Sequence, residues 1–216
     1  MSERVSDRPM PAATALRQSR SSHVVSSVVM RRLAAAIGTR PRVYELAGAA
    51  LASVAFGVAA YSFAAATGLR DDMLHGAPFD SIQLGVKLPL TALRTFIVPG
   101  LMEELLWRAA LLPHPSFESN RRRGFALQLL ASNVAYISSH LLIGQVLSYA
   151  GLRPGAARLF GDLRFLVCTA GLGAVCTLVY YACRGSIWTP TLVHALVVTV
   201  WLLFFGGDHL LRVGTE

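Results

Sequence analysis

The sequence predicts an all-α, polytopic membrane helix bundle of about five spans, and three observations predict it. Of its 216 residues, 54% are apolar and only 15% charged, and the mean hydropathy is positive, a balance that favours a bilayer over water as solvent. Uncharged runs recur at the length a helix needs to cross a hydrocarbon core, about 20 residues. Basic residues are clustered between those runs, which is how membrane chains mark their cytoplasmic side.

Residues 1–42 carry eight arginines against Glu3 and Asp7 and read as a basic cytoplasmic tail. To about Ser22 the tail has no apolar periodicity and reads as disordered. After it, "VVSSVVMRRLAAAIGTR" predicts a short helix lying on the membrane surface. The leader is too long for a signal-peptide n-region, and the apolar run behind it too long for an h-region.

The membrane domain is assigned to 43–207, with spans at 46–69, 82–112, 125–150, 165–183 and 185–207. The second contains Pro89 and Pro99, either of which could break it and make six. A short tail, 208–216, closes the chain. Arg121, Arg122, Arg123 and Arg184 then fall on the side of the N-terminus, which is cytoplasmic. Asp71, Asp72 and Asp80 fall outside, as does a loop over 151–161, in which Arg153 and Arg158 run against the rule. The formal charge of +8 is thus spent on topology, and no nucleic-acid partner is expected. Cys168, Cys176 and Cys183 share the fourth span without metal-site spacing and read as small packing residues. The absence of an internal repeat argues against a transporter.

Charges inside the spans identify the chemistry. A charged side chain at the bilayer centre costs about 2.5–3.5 kcal/mol on insertion scales, so each one is a functional candidate. Counted from the basic end at about 1.5 Å per residue, Glu103 lies roughly 14 Å deep, His194 roughly 13 Å and His140 roughly 22 Å, within reach of one cavity. Glu104 and Arg108 are four apart with the acid first, the favourable order for an ion pair. Glu103 points about 100° away from Glu104 and has no partner in its own helix, so it is expected to meet the histidines of other spans. A carboxylate beside an imidazole in a desolvated pocket suits proton removal from water, hence hydrolysis. Two alternatives stay open. Glu104 and Arg108 could form a purely structural pair, and Glu103, His140 and His194 could hold a divalent metal such as zinc, although no HExxH helix is present. Lys87 and Arg94, seven apart on one face, read as snorkelling or packing residues.

Three motifs carry a resemblance. "EELLWR" (Glu103 to Arg108), "YISSH" (Tyr136 to His140) and "GSIWTPTLVHALVV" (Gly185 to Val198) resemble, in order and spacing, the motifs of the CAAX-protease and bacteriocin-processing (CPBP, or Abi) family of intramembrane glutamic endopeptidases. The likeness covers about 88–207. It implies an intramembrane endopeptidase that needs no cofactor and acts on a membrane-associated protein or peptide in the bilayer. Its site would open toward the cytoplasmic side of a multi-pass cell-membrane protein.

Carried over, Glu103 is the general base, His140 its partner on the water, and His194 faces the tetrahedral intermediate, with Glu104 and Arg108 orienting the motif helix. Bacterial members are linked to peptide processing, bacteriocin self-immunity and removal of sorting tails; prenylated substrates fit a short arginine- and alanine-rich chain less well. One position departs from the pattern: Val198 stands where the family usually has Asn or Asp, and valine donates no hydrogen bond. Asn133 or Thr191 could substitute as oxyanion donor. Asn133 is favoured, because a helical threonine tends to spend its hydroxyl on its own backbone. The departure also admits a non-catalytic membrane immunity or partner protein.

Overall fold

A computed structural model describes residues 27–69, 81–117 and 122–212, and among them every regular element is a helix. A short helix α1 covers 27–38, and α2 is Val43–Ala66. The next, α3, runs through Ser81–Thr95, a wide turn Phe96–Leu101, Met102–Glu104 and a second wide turn Leu105–Ala110. Then come α4 (Arg122–Tyr149), α5 (Ala156–Gly161), α6 (Leu163–Ala182), α7 (Trp188–Phe204) and α8 (Gly207–Arg212). By length and composition α2, α6 and Gly124–Tyr149 of α4 can cross a membrane, while α7 is apolar but shorter. The leader through residue 26, the acidic stretch with Asp71, Asp72 and Asp80, and Arg121 lie outside the described residues.

Burial is inverted relative to a water-soluble bundle. Leu51, Val54 and Val58 of α2 and Leu127, Leu130 and Val134 of α4 are exposed, whereas Glu104, Arg108, His194, Thr95, Thr189 and Thr191 are fully buried. In water such leucine-rich surfaces would aggregate. In lipid they are solvated, and polar side chains turn inward to find one another. Thr95 and Thr199 show the pattern, their hydroxyl oxygens 2.6 Å apart between α3 and α7. The Thr95 hydroxyl donates back to carbonyls of its own helix, so Thr199 is the donor in that pair.

At the basic end, α1 is docked by its own backbone. Its carbonyls of Ala36, Ile37 and Thr39 accept from the Ile187 N–H (3.1 Å), the Trp188 indole (3.0 Å) and the Ser186 hydroxyl (2.8 Å). Arg32 donates to the Ala110 and Leu111 carbonyls, the unsatisfied end of α3. Ala36 packs with Ala109, Tyr180 and Ile187 in one buried cluster. The predicted surface helix is therefore a clasp joining the ends of α3, α6 and α7. Arg184 completes it with a two-pronged bond to Glu45, 3.0 Å to each oxygen. Glu45→Ala is expected to lower the melting temperature of the detergent-solubilised protein only slightly, since Arg184 is exposed. A thermal melt that did not move would show the clasp rests on backbone bonds alone.

The opposite end differs from expectation in two places. Within the loop read over 151–161, Ala156–Gly161 is helical, because Gly144 lets it seat on α4: a Cβ there would come within 2.9 Å of Phe160 Cβ. Beyond residue 207, α8 packs Leu210 against Ala64 and Leu69, and Asp208 pairs with Arg153 at 3.3 Å. Arg153, one of the two charges that run against the positive-inside pattern, is thereby neutralised. Asp162 caps α6 by accepting from the Arg164 N–H at 2.8 Å. The Arg164 guanidinium beside it holds that carboxyl below the usual carboxylate range. The cap's contribution is thus present above the ordinary carboxylate pKa and fades as pH falls through the depressed one.

Candidate active site

The acidic motif owes its position to a break in α3. Val98 is extended (φ −133°, ψ 117°), as expected for a residue before proline, and the Val98–Pro99 peptide is cis. Pro89, the other predicted breakpoint, stays inside a continuous helix. The helix restarts at Gly100, where a Cβ would lie 2.7 Å from the Thr95 carbonyl and 3.6 Å from Ala195 Cβ. Glycine is needed there for the break itself, since a side chain would meet the Thr95 carbonyl of α3, while the α7 atoms lie at ordinary contact distance. The Met102 N–H then donates five residues back, to Ile97, a wide turn of the kind that gathers at functional sites. In the second wide turn the Trp107 carbonyl accepts from Ser132 of α4 at 2.6 Å.

Glu104 is the hub. Its Oε1 accepts from Arg108 Nη1 at 3.0 Å and from His194 Nδ1 at 2.8 Å, all three groups being essentially sealed from solvent. Arg108 donates its other nitrogen to the Gly173 carbonyl at 2.8 Å, and its guanidinium lies 4.8 Å above the Tyr136 ring. The in-helix pair expected between Glu104 and Arg108 is present, and it ties α3 to α6. The sequence reading sent both histidines to Glu103; the structure places His194 Nδ1 on Glu104. Glu103 instead faces the other ring nitrogen, Oε2 lying 4.0 Å from His194 Nε2. That is beyond hydrogen-bond range. Oε2 is buried without a hydrogen-bond partner among the described residues, although the side chain keeps 19% of its exposure.

His140 presents one nitrogen to its own helix: Nδ1 donates to the Tyr136 carbonyl at 3.0 Å. A carbonyl can only accept, so the proton is on Nδ1 and Nε2 carries a lone pair. Tyr136 stands between the two imidazoles, edge-on to His140 at 4.8 Å and to His194 at 6.2 Å between centroids. Phe160 of α5 closes on the far side of His140 at 5.6 Å.

The remaining predicted residues fall nearby. Asn133 lies against Gly173, its Oδ1 buried without a donor. The Thr191 hydroxyl donates to Ile187 of its own helix at 2.8 Å. Val198, one turn beyond His194, offers no polar atom. Lys87 and Arg94 are exposed along α3. What sequence reasoning missed is Gly173 and the central place of Tyr136, quoted only as the aromatic of its motif. A Cβ at Gly173 would lie 2.3 Å from Asn133 Oδ1 and 2.9 Å from the Tyr136 ring. Gly173→Ala should therefore displace Tyr136 at a cost of about 1–3 kcal/mol, read as a lowered melting temperature in detergent.

The family model described as Type II CAAX prenyl endopeptidase Rce1-like matches residues 85–200, just over half of the chain. The chain belongs to this Rce1-like family. The match begins in α3 and ends within α7, so it takes in Glu103 to Arg108, Tyr136 to His140, and His194 through Val198. No curated protein and no solved structure matches the chain. An Rce1-like chain with three helices able to cross a membrane is a membrane endopeptidase in general terms.

Proposed function

We propose that this Rce1-like protein hydrolyses a peptide bond in a membrane-associated protein or peptide, using a water activated by Glu103 and His140. The observation that carries the reading is the division of hydrogen-bonding roles. Glu103 Oε2 and His140 Nε2 are both left as acceptors, which is what a water needs in order to surrender a proton to one group while the other orients it. The water oxygen adds to the carbonyl carbon and its proton passes to Glu103. The C–N bond then breaks, Glu103 returns the proton to the leaving nitrogen, and a carboxylic acid, which keeps the water's second proton, and an amine result. Glu104 and Arg108 hold the motif helix and the His194 ring in place. The topology follows the charge pattern, with the α1 clasp cytoplasmic and substrate entering from that side.

A metal version has a specific observation to answer. One donor atom each from Glu104, Cys176 and His194 lie within 4.8 Å of one another, a grouping different from the Glu103, His140 and His194 set suggested by sequence. The donor chemistry does not favour a cation there. Glu104 Oε2 has no hydrogen-bond partner among the described residues, but Oε1 accepts from the Arg108 guanidinium and from His194 Nδ1, so a cation would sit against a buried positive charge. Hydrolysis is therefore assigned to the protein's own acid and imidazoles.

The test compares protein termini by mass spectrometry in membranes of cells carrying the wild type or Glu103→Ala. Two internally quenched peptides are tested in parallel on purified protein in lipid nanodiscs, with and without chelator. One ends in a prenylated CaaX tetrapeptide and the other in a membrane-spanning leucine helix. Termini and cleavage that depend on Glu103 and resist chelation are expected. Cleavage abolished by chelator would restore the metal; no Glu103-dependent cleavage of any kind would leave a binding protein.

A further inference from the structure

The proposed chemistry leaves the oxyanion short of donors. His194 Nδ1 is committed to Glu104, so the ring can donate from Nε2 only as an imidazolium, toward the side where Glu103 lies. Val198 has no donor, Thr191 has spent its own, and Asn133 turns its amide oxygen, an acceptor, toward Gly173. One neutral donor is left over in the cluster. The Tyr136 hydroxyl is buried and has no hydrogen-bond partner among the described residues. A phenol in that state forfeits the hydrogen bond it would make in water unless something else takes it. Its ring is held by Arg108 above, by His140 and His194 at its edges and by Gly173 alongside, so the hydroxyl cannot swing out to water.

We propose that the Tyr136 hydroxyl is a catalytic residue of this site, donating a hydrogen bond to the oxyanion formed when the Glu103-activated water adds to the scissile carbonyl. This rests on the peptidase reading. A phenol needs no additional proton to donate, unlike His194, and the packing around the ring pre-orients it, the condition under which such a donor acts mainly on the transition state. The hydroxyl keeps its proton throughout, so the proton balance of the hydrolysis is unchanged.

The full-length protein in nanodiscs, with whichever quenched peptide the wild type cleaves, decides it. Tyr136→Phe keeps every ring contact and removes only the hydroxyl. It should lower kcat on the order of 10²-fold with KM unchanged and without lowering the melting temperature. Incorporating 2,3-difluorotyrosine at position 136 keeps the geometry and acidifies the phenol, and should move the alkaline limb of the kcat profile to lower pH. That second measurement stands even if Tyr136→Phe folds poorly. Wild-type kcat in Tyr136→Phe, or an unmoved alkaline limb, overturns the assignment while Glu103-dependent cleavage still upholds the peptidase. No cleavage by the wild type itself removes both.

Discussion

Glu103→Gln protein is expected to fold, melt and insert as the wild type does, and to turn over on the order of 10²–10⁴ times more slowly. Glutamine fills the same volume and loses only the ability to take a proton. Among the described residues, Glu103 Oε2 accepts no hydrogen bond, and His194 Nε2 stays 4.0 Å from it. Rate constants and melting temperatures from the same preparation check both halves of the statement. A variant with wild-type turnover would transfer the role of base to His140, whose Nε2 is the other free acceptor.

Glu104→Ala should fail differently, in stability as well as rate. It strips the Arg108 guanidinium of its carboxylate and His194 Nδ1 of its acceptor in a sealed site. Removing one member of a buried ion pair leaves an uncompensated charge, typically at a cost of about 3–5 kcal/mol. Detergent melts should show most of that loss. Glu104→Ala combined with Arg108→Met should recover much of the stability, since no orphaned cation remains, yet stay inactive, because His194 has lost the group that fixes its ring. Recovery of activity in the double variant would mean that Glu104 serves only to neutralise Arg108. Two adjacent acids of the same type are thus expected to divide cleanly, one dispensable for folding and the other not.

The apolar helices and their order could be read from the sequence because a helix that meets lipid must be apolar along its whole length, whatever its neighbours do. α2, α4, α6 and α7 all lie close to the uncharged runs that announced them. The Glu104 to Arg108 pair was also legible, since four-residue spacing fixes proximity within one helix. The inward polar residues were legible as a set, because the bilayer leaves them no other place.

Contacts between helices were not legible. That His194 reaches Glu104 rather than Glu103 depends on how α3, broken at Val98, sets the acidic motif against α7. That Tyr136 sits between two imidazoles depends on Gly173 leaving room for its ring. The surface helix was foreseen as a helix, but its role as a clasp comes from carbonyls of 36–39 meeting the Gly185 to Trp188 turn, and backbone groups are the same in every sequence. Local spacing and solvent preference are properties of a segment by itself. Which face of one helix meets which face of the next is a sum of small close approaches over the whole bundle, and only the folded protein expresses that sum.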